Sequence, residues 1–408
     1  MHAPQVKLAE TLLRGTSAAL RRILEASLEG RELTRGDAVT LLQAQGRDLQ
    51  VLCNVADLAR VEDVGDEVSY VVNRNINFTN ICYVGCSFCG FSRHKHEADA
   101  YERGLDDIVE RAQQAWERGA SEVCIQGGIH PNKDGFWYRE ILEAIKSVLP
   151  DMHIHAFSPE ELHFGVQKAD GMSLRDYLVM LRDAGLGSIP GTAAEILDDE
   201  IRRQLSPRKL KTARWLEIVR TAHEVGLRSS STLMYGHIEG VEHVAAHLET
   251  LRDLQKETGG LTEFVPLGFI HSKTRLYLEQ GSRPGSSMPE DLKLVAVARL
   301  FLRPWIKNIQ VSWVKMGHKL AQMGLLSGAN DFGGTLMEES ISHAAGSEHG
   351  DHLEAQEIER LIRELGRTPY ERTTTYARRA APARVTASAP VALPGAGEAG
   401  VYALGSGY

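Results

Sequence analysis

The chain has 408 residues, of which 43% are hydrophobic and 25% charged, and its formal net charge is −8. This composition is typical of a globular protein, and the acidic balance argues against a nucleic-acid partner because phosphate binding favours a basic surface. No apolar run approaches the roughly 18 residues that cross a bilayer, and no secretory signal opens the sequence, so we expect a cytoplasmic protein with no membrane partner.

Residues 1–66 predict a helical N-terminal extension. Leucine and isoleucine recur at helical spacing between Leu8 and Leu24. Thr34 followed by Asp37 is typical of a helix start, with a hydroxyl at the cap and an acid in the first turn.

Residues 67–376 alternate short β-rich runs with amphipathic helices and predict an α/β domain. Eight runs are expected to be strands, at residues 69–79, 122–127, 153–158, 187–190, 227–235, 263–269, 308–313 and 329–333. Eight strands that alternate with helices match a TIM-type (β/α)8 barrel of about 250 residues. A doubly wound open sheet is the alternative, but no G-x-G-x-x-G turn follows the first run.

From residue 377 to residue 408 the sequence is dominated by Ala, Pro, Gly, Ser and Val. A low-complexity segment of this kind cannot bury enough apolar surface to offset its chain entropy. We therefore expect a disordered C-terminal tail.

Three cysteines in one short run, Cys82, Cys86 and Cys89, have the spacing C-x3-C-x2-C. A [4Fe–4S] cluster usually takes four cysteine thiolates, so three leave one iron open to a small chelating molecule. The spacing therefore predicts three metal ligands and an incomplete cluster site.

A zinc loop is the alternative for these cysteines, with His94 or His96 completing a Cys3His site. Zinc loops more often combine two cysteine pairs, whereas the two other cysteines, Cys53 and Cys124, are isolated and are interpreted as small apolar fillers. An odd cysteine count also argues against a disulfide framework.

The predicted strands end in polar or glycine-rich sequences, and in a parallel barrel the chemistry collects at those ends. The candidates there are Gln126, Gly127, Gly128, His130, Thr192, Glu195, Tyr235, His237, Asn330 and Asp331. Several have a structural alternative. The glycines can form a tight turn, Glu195 can cap a helix over residues 193–204, and each histidine can be an ordinary loop residue instead of a proton-transfer residue.

Two predicted strands carry polar residues within their length. His155 shares one face of its strand with His153, which favours substrate contact or core packing over metal binding. Residues 229–232 are four consecutive hydroxyl side chains, of which two must face the barrel interior. We select Ser229 and Ser231 as the substrate-binding pair, with hydrogen bonding to the main chain as the alternative.

The cysteine spacing, with Phe88 just before the last cysteine, resembles the signature of radical S-adenosylmethionine (SAM) enzymes. The resemblance implies a [4Fe–4S] cluster and SAM as cofactors, with the methionyl group on the open iron and a 5′-deoxyadenosyl radical as the product of reductive cleavage. It implies cofactor-binding roles for Phe88, residues 126–128, Thr192 and Glu195, while loop anchoring remains the alternative for Phe88.

Longer blocks at residues 71–82, 189–199, 228–237 and 328–339 resemble the tyrosine-using half of deazaflavin FO synthase, called subunit 2 where it is a separate chain. That family implies cleavage of L-tyrosine between Cα and Cβ and transfer of the 4-hydroxybenzyl group to 5-amino-6-(D-ribitylamino)uracil. The related aminofutalosine synthase and dehypoxanthine futalosine cyclase of menaquinone synthesis are the nearest alternatives, and a zinc-stabilised binding barrel is a third.

The same resemblance implies partners and residue roles. FO synthase subunit 1, a cyclising radical SAM enzyme, is expected as the functional partner, and ferredoxin or flavodoxin as the electron donor. We expect three catalytic residues, His130, His155 and His237. Substrate binding is expected from the residues chosen above, namely Ser229, Ser231, Tyr235, Asn330 and Asp331.

Overall fold

The structure is a computed structural model that describes residues 11–379. Most of the predicted tail, residues 380–408, therefore lies outside the described residues. Residues 377–379 of the predicted tail are described, and they are hydrogen-bonded to the preceding segment. Thr373 N donates to Ala377 O over 2.8 Å, and Arg379 N donates to Glu371 O over 2.9 Å.

The N-terminal extension is helical as predicted, with α1 at Ala18–Leu28, α2 at Arg35–Leu42 and α3 at Gly46–Val64. At the start of α2 the Thr34 hydroxyl accepts from Asp37 N over 3.2 Å, while the Asp37 carboxylate accepts from Thr34 N over 3.0 Å. This reciprocal capping satisfies two amides that have no partner inside the helix. The buried faces of the three helices join the same hydrophobic core as the rest of the chain.

Within the described part of the chain, nine strands follow the extension. They are β1 Glu67–Val71, β2 Asn73–Ile76, β3 Glu122–Ile125, β4 His153–Ala156, β5 Ser188–Ile189, β6 Arg228–Tyr235, β7 Leu261–Gly268, β8 Asp331–Gly334 and β9 Thr368–Glu371. Seven of the eight predicted strands are present, with ends that differ from the prediction by a few residues. The seventh, residues 308–313, contributes only single bridges at Ile309 and Gln310, because a helix begins at Trp313.

The strands form a closed parallel barrel. One sheet has the order β2-β3-β4-β5-β6-β7 and a second has the order β8-β1-β9. Only Val72 separates β1 from β2, so the first barrel strand pairs with β3 in one half and with β8 in the other. The bridges Phe264–Ile309 and Gln310–Asp331 join β7 to β8 and complete the ring. The predicted TIM-type barrel is therefore confirmed.

Strand β9 was not predicted from the sequence. It pairs in parallel with β1 from Glu67 to Tyr70, at the end of the barrel opposite the cysteine loop. Its alternation of polar and apolar residues is too short to distinguish it from a loop.

Helices surround the barrel. They are α4 Leu105–Glu117, α5 Trp137–Val148, α6 Pro159–Gln167, α7 Leu174–Asp183, α8 Asp199–Leu205, α9 Thr212–Glu224, α10 Val241–Thr258, α11 Arg275–Leu278, α12 Met288–Leu302, α13 Trp313–Met316, α14 His318–Leu325, α15 Ser340–Ala345 and α16 Ala355–Glu364. In α5 the side chains of Ile141, Leu142 and Ile145 are fully buried, as their helical spacing predicts. Within residues 11–379 no helix combines the length and the apolar character needed to span a membrane.

Candidate functional site

The three cysteines lie in the loop between β2 and α4, above the carboxyl end of the first barrel strand. The loop is tied to its surroundings by main-chain hydrogen bonds: Cys82 N donates to Arg93 O over 3.0 Å and Ser87 N donates to Leu205 O over 2.8 Å. Cys82, Cys86 and Cys89 are free thiols, and all three line a cavity of about 260 Å³, which we call the outer cavity.

The cysteine loop provides thiols of the kind that an iron–sulfur cluster takes as ligands. Burial raises the pKa of the Cys82 and Cys86 thiols, so thiolates in this loop would need positive metal beside them. His94 and His96 are exposed and stack on each other.

Gly127 and Gly128, at the end of β3, line the outer cavity and also pack against the cysteine loop. A Cβ atom on Gly127 would lie 2.7 Å from the Phe78 ring, and one on Gly128 would lie 2.3 Å from the Ile81 carbonyl oxygen. Gly127 N donates to the Glu161 carboxylate over 3.0 Å. Both glycines therefore allow the strand end and the loop to approach closely, whichever ligand lies above them.

A buried cluster of charges forms one wall of the outer cavity. Lys209 Nζ lies 2.7 Å from Glu195 Oε1, and Arg202 lies 3.5 Å from Glu195 Oε2. The carboxylates of Glu195 and Glu160 raise the pKa of Lys209 against the opposing effect of burial. Lys209 Nζ also lies 5.5 Å from the centre of the Phe88 ring, so the ring has a cation on one side and faces the cavity.

Glu195 does not cap a helix, so that alternative is wrong. Helix α8 begins at Asp199, where the Asp198 carboxylate accepts from the amides of Glu200 and Ile201 over 3.0 Å each. Glu195 instead lies in the preceding loop with a φ of +42°, a backbone conformation that L-residues rarely adopt. The loop directs its carboxylate to Lys209 and to the outer cavity.

A second cavity of about 250 Å³ lies deeper in the barrel; we call it the inner cavity. It shares a boundary with the outer cavity, formed by residues that line both: Gln126, Thr192, Thr232, Leu267, Lys315 and Ile341. At this boundary the Thr192 hydroxyl donates to Gln126 Oε1 over 3.0 Å. A ligand at the cluster and a ligand inside the barrel would therefore touch the same side chains.

The floor of the inner cavity is strongly polar. Thr374 Oγ1 donates to Glu122 over 2.5 Å, and Arg372 lies 3.3 Å from Glu263 and 2.5 Å from Asp331. Burial lowers the pKa of His155 to about 4, so its ring is neutral near pH 7 and hydrogen-bonds to the Ser188 hydroxyl over 2.7 Å. Glu122, Glu263, Arg372 and His155 all line this cavity.

Seven of the predicted non-cysteine site residues line one cavity or both, namely Phe88, Gln126, Gly127, Gly128, His155, Thr192 and Glu195. Ser229 and Ser231 line neither cavity. The Ser229 hydroxyl is hydrogen-bonded to the His223 ring over 2.8 Å, and the Ser231 hydroxyl donates to Glu263 O over 2.6 Å. Their neighbours Ser230 and Thr232 line the inner cavity instead, because alternate residues of a strand face opposite sides.

The remaining candidates of the barrel strands are used in structural contacts. The Tyr235 hydroxyl donates to Asp291 over 2.6 Å. Asn330 accepts from Arg299 over 2.7 Å, and Asp331 accepts from Arg372 and from Gly333 N. None of the three predicted residues lines the outer or the inner cavity, so their placement does not support a substrate-binding role.

His130 and His237 also lie outside both cavities. His130 is buried with Nε2 3.5 Å from Glu102. His237 is fully buried, and its ring contacts Met234 O over 3.0 Å and Glu239 over 3.1 Å. Burial lowers the pKa of both rings. These contacts are typical of histidines that hold a loop in place.

Sequence reasoning missed most of the inner cavity. Asn73, Asn75 and Asn77 all line it, and their spacing of two residues along one strand was the signal that could have found them. Lys315 was also missed. It lies at the boundary of the two cavities, two residues beyond the seventh predicted strand, where the general position of barrel active sites could have identified it.

Comparison with known proteins identifies related chains. Residues 76–251 match the radical SAM superfamily, and residues 258–385 match the CofH/MqnC C-terminal region. The chain is 48% identical over 356 residues, 87% of its length and 96% of the other protein, to 5-amino-6-(D-ribitylamino)uracil–L-tyrosine 4-hydroxyphenyl transferase of Methanothermobacter thermautotrophicus.

It is also 50% identical over 377 residues to FO synthase of Mycobacterium tuberculosis, covering 92% of this chain and 44% of that protein. Among solved structures, methylornithine synthase superposes with a TM-score of 0.66 at 21% identity, over 85% of this chain and 97% of that one. The latter similarity is one of fold alone.

Proposed function

We propose a function from the premise that this chain belongs to the family of 5-amino-6-(D-ribitylamino)uracil–L-tyrosine 4-hydroxyphenyl transferases within the radical SAM superfamily. It cleaves L-tyrosine between Cα and Cβ and adds the 4-hydroxybenzyl group to 5-amino-6-(D-ribitylamino)uracil, a step in the synthesis of the deazaflavin FO. The observation that carries the proposal is the boundary between the two cavities, where six side chains face both the cysteine loop and the barrel interior.

The outer cavity is proposed to hold the cofactors. Cys82, Cys86 and Cys89 would bind a [4Fe–4S] cluster, which together with SAM supplies a 5′-deoxyadenosyl radical. Phe88 offers an apolar face beside Lys209, suited to a nucleobase, and Glu195 offers a carboxylate suited to hydroxyl groups. The tied loop and the close approach of Gly128 to Ile81 keep the reacting groups in a fixed position.

The inner cavity is proposed to hold the uracil substrate. Its asparagines and the carboxylates of Glu122 and Glu263 supply the acceptors and donors that a ribityl chain and a pyrimidine require. His155, neutral near pH 7 because burial lowers its pKa to about 4, can hydrogen-bond without adding charge. Tyrosine at the boundary would then lie between the hydrogen-abstracting group and the acceptor, which shortens the path of the transferred fragment.

The proposal also includes the protein partners of the enzyme and its location in the cell. FO synthases are more than twice the length matched by this chain, which supports a separate cyclising enzyme, FO synthase subunit 1, acting on the product. A ferredoxin or flavodoxin would supply the electron for reductive cleavage, and a reducing cytoplasm would suit the cluster.

The direct test is anaerobic incubation of the reconstituted protein with SAM, a reductant, L-tyrosine and the ribitylaminouracil. We expect 5′-deoxyadenosine and a hydroxybenzyl adduct of the uracil in comparable amounts. If 5′-deoxyadenosine forms without an adduct, the substrates are wrong. If the adduct forms only with a futalosine precursor, the enzyme belongs to menaquinone synthesis.

Substitution of one cluster ligand tests the metal site. The Cys86→Ala variant should lose most of its iron and acid-labile sulfide and form no 5′-deoxyadenosine, because only two loop thiolates remain. Cys53→Ala is the matched control, since Cys53 lies in α3 and lines neither the outer nor the inner cavity. Zinc in place of iron in the protein purified without oxygen would contradict the cluster.

A further inference from the structure

Three lysine or arginine side chains line the two cavities, and two of them have carboxylate partners. Lys209 is paired with Glu195 over 2.7 Å, and Arg372 is paired with Asp331 over 2.5 Å. The third, Lys315, has no side-chain hydrogen bond or ion pair within residues 11–379; its main-chain amide donates to Ser312 O over 2.9 Å.

Lys315 lies inside the molecule, on the short helix α13. It belongs to the lining of both cavities, and the residue is half-buried. Burial lowers its pKa, while Glu339 and Cys89 act in the opposite direction. An ammonium group surrounded by protein without a partner has lost water and gained no hydrogen bond in return.

The carboxylate that acts electrostatically on Lys315, that of Glu339, already has other hydrogen-bond partners. Glu339 accepts from the Ser342 amide and hydroxyl over 2.9 Å each, and its other oxygen accepts from Asn75. It therefore raises the pKa of Lys315 from a distance without forming an ion pair with it. The structure leaves the ammonium group available to an anion that enters the cavities.

We propose that Lys315 binds the α-carboxylate of L-tyrosine and thereby makes the enzyme select an amino acid over the corresponding amine. The inference rests on the proposed function, in which tyrosine is the organic substrate that carries a carboxylate, whereas the ribitylaminouracil carries hydroxyl, amino and amide groups. A charge-assisted hydrogen bond at this boundary fixes the amino group and Cα next to the outer cavity.

The position of Lys315 also determines towards which cavity the 4-hydroxybenzyl group of tyrosine points. With the carboxylate at the boundary and the amine towards the cluster side, the side chain of tyrosine extends towards the inner cavity. Cleavage between Cα and Cβ then releases the fragment on the side where the acceptor is proposed to lie. Lys315 is thus a substrate-positioning residue that takes no part in the bond changes.

The test is anaerobic equilibrium binding to the cluster-loaded protein of three probes: L-tyrosine, tyramine, which lacks the carboxylate, and 3-(4-hydroxyphenyl)propionate, which lacks the amine. Lys315→Met should weaken tyrosine and the propionate roughly 10- to 150-fold, the range for hydrogen bonds to charged groups. Tyramine should bind within about twofold of the wild-type value. Lys319→Met, an exposed lysine of α14, is the matched control and should change none of the three.

Several outcomes would overturn the inference. Unchanged tyrosine binding by Lys315→Met, or an equal loss for all three probes, would exclude selective carboxylate binding. Weaker SAM binding with unchanged tyrosine binding would assign Lys315 to the methionyl carboxylate instead. Lys315→Gln gives the same readout if the methionine variant fails to retain its cluster. Absence of tyrosine binding by the wild-type protein would instead refute the proposed function.

Discussion

At the scale of single residues, the partners of a polar side chain decide whether it can bind a ligand. Asn330 and Asp331 stand at a strand end, yet Arg299 and Arg372 occupy their oxygens. Ser230 and Thr232 line the inner cavity and also hydrogen-bond to the main chain of Gly191, while Ser229 and Ser231 on the opposite face contact only other parts of the protein. Lys315 differs from all of these, because it lines both cavities and has no side-chain partner among residues 11–379.

His155 should make the protein sensitive to acid. Burial lowers its pKa from 6.5 to about 4, so below pH 6.5 the unfolded chain binds a proton that the folded protein does not. Stability present above pH 6.5 is therefore lost as the pH falls towards 4. Between pH 7 and pH 5 the loss from this residue should be about 2 kcal/mol.

The measurement is the free energy of unfolding of the wild type and of His155→Gln at the two pH values. The difference between the two proteins should shift by that amount in favour of the variant at pH 5. His96→Gln, which changes an exposed histidine, should follow the wild type at both values. A constant difference between wild type and His155→Gln would show that folding does not lower the pKa of this ring.

At the scale of elements, β9 and the residues after it link the bottom of the barrel to the inner cavity. Strand β9 pairs with β1, and the chain then places Arg372 and Thr374 in the cavity floor. The Arg372 guanidinium also lies 4.1 Å from the centre of the Tyr376 ring. The segment therefore contributes both to the sheet and to the wall of the proposed substrate site.

Two arginines of this segment should differ sharply in their contribution to stability. Arg372→Met leaves Asp331 and Glu263 buried without their counter-charge and should cost about 3–5 kcal/mol. Arg378→Met removes an exposed ion pair with Glu67 and should lower the free energy of unfolding far less than Arg372→Met does.

Denaturant unfolding of the two variants under identical conditions gives the comparison. Equal losses in the free energy of unfolding for the two variants would mean that Arg372 does not stabilise the buried network. The double variant that combines Arg372→Met with Asp331→Asn gives a further check. If it regains most of the free energy of unfolding that Arg372→Met loses, the uncompensated carboxylate is confirmed as the cause of the loss.

At the scale of the whole molecule, the barrel brings a cofactor cavity and a polar interior into contact. The loop after β2 carries the cysteines, while residues from β1 to the segment after β9 form the inner walls. Under the proposed function, a fragment released at the boundary would lie beside the acceptor.

Narrowing the boundary between the two cavities should block transfer to the uracil without affecting cofactor binding. Ile341 of α15 lines both cavities, and Ile341→Trp should reduce adduct formation at least about tenfold by blocking contact between the ligands. Cluster content and SAM binding should stay near wild-type values. Ile341→Val, which leaves the boundary open, is the control; equal loss of SAM binding in the tryptophan variant would place the block in the cofactor site instead.

The sequence alone was sufficient for the features that depend on local pattern. The cysteine spacing predicted that three thiols lie together in one loop, the alternation of strands and helices predicted the barrel, and the Thr34 capping residue predicted the start of α2. These predictions hold because they depend only on the order and spacing of residues along the chain, which folding does not change.

Only the tertiary structure decided which polar residues face the cavities and which are already paired. Register placed Ser230 and Thr232 in the cavity instead of Ser229 and Ser231, and contacts between residues 41 and 252 positions apart joined Asp331 to Arg372 and Glu122 to Thr374. These pairings depend on distances in space, and so does the lack of a side-chain partner for Lys315 among residues 11–379.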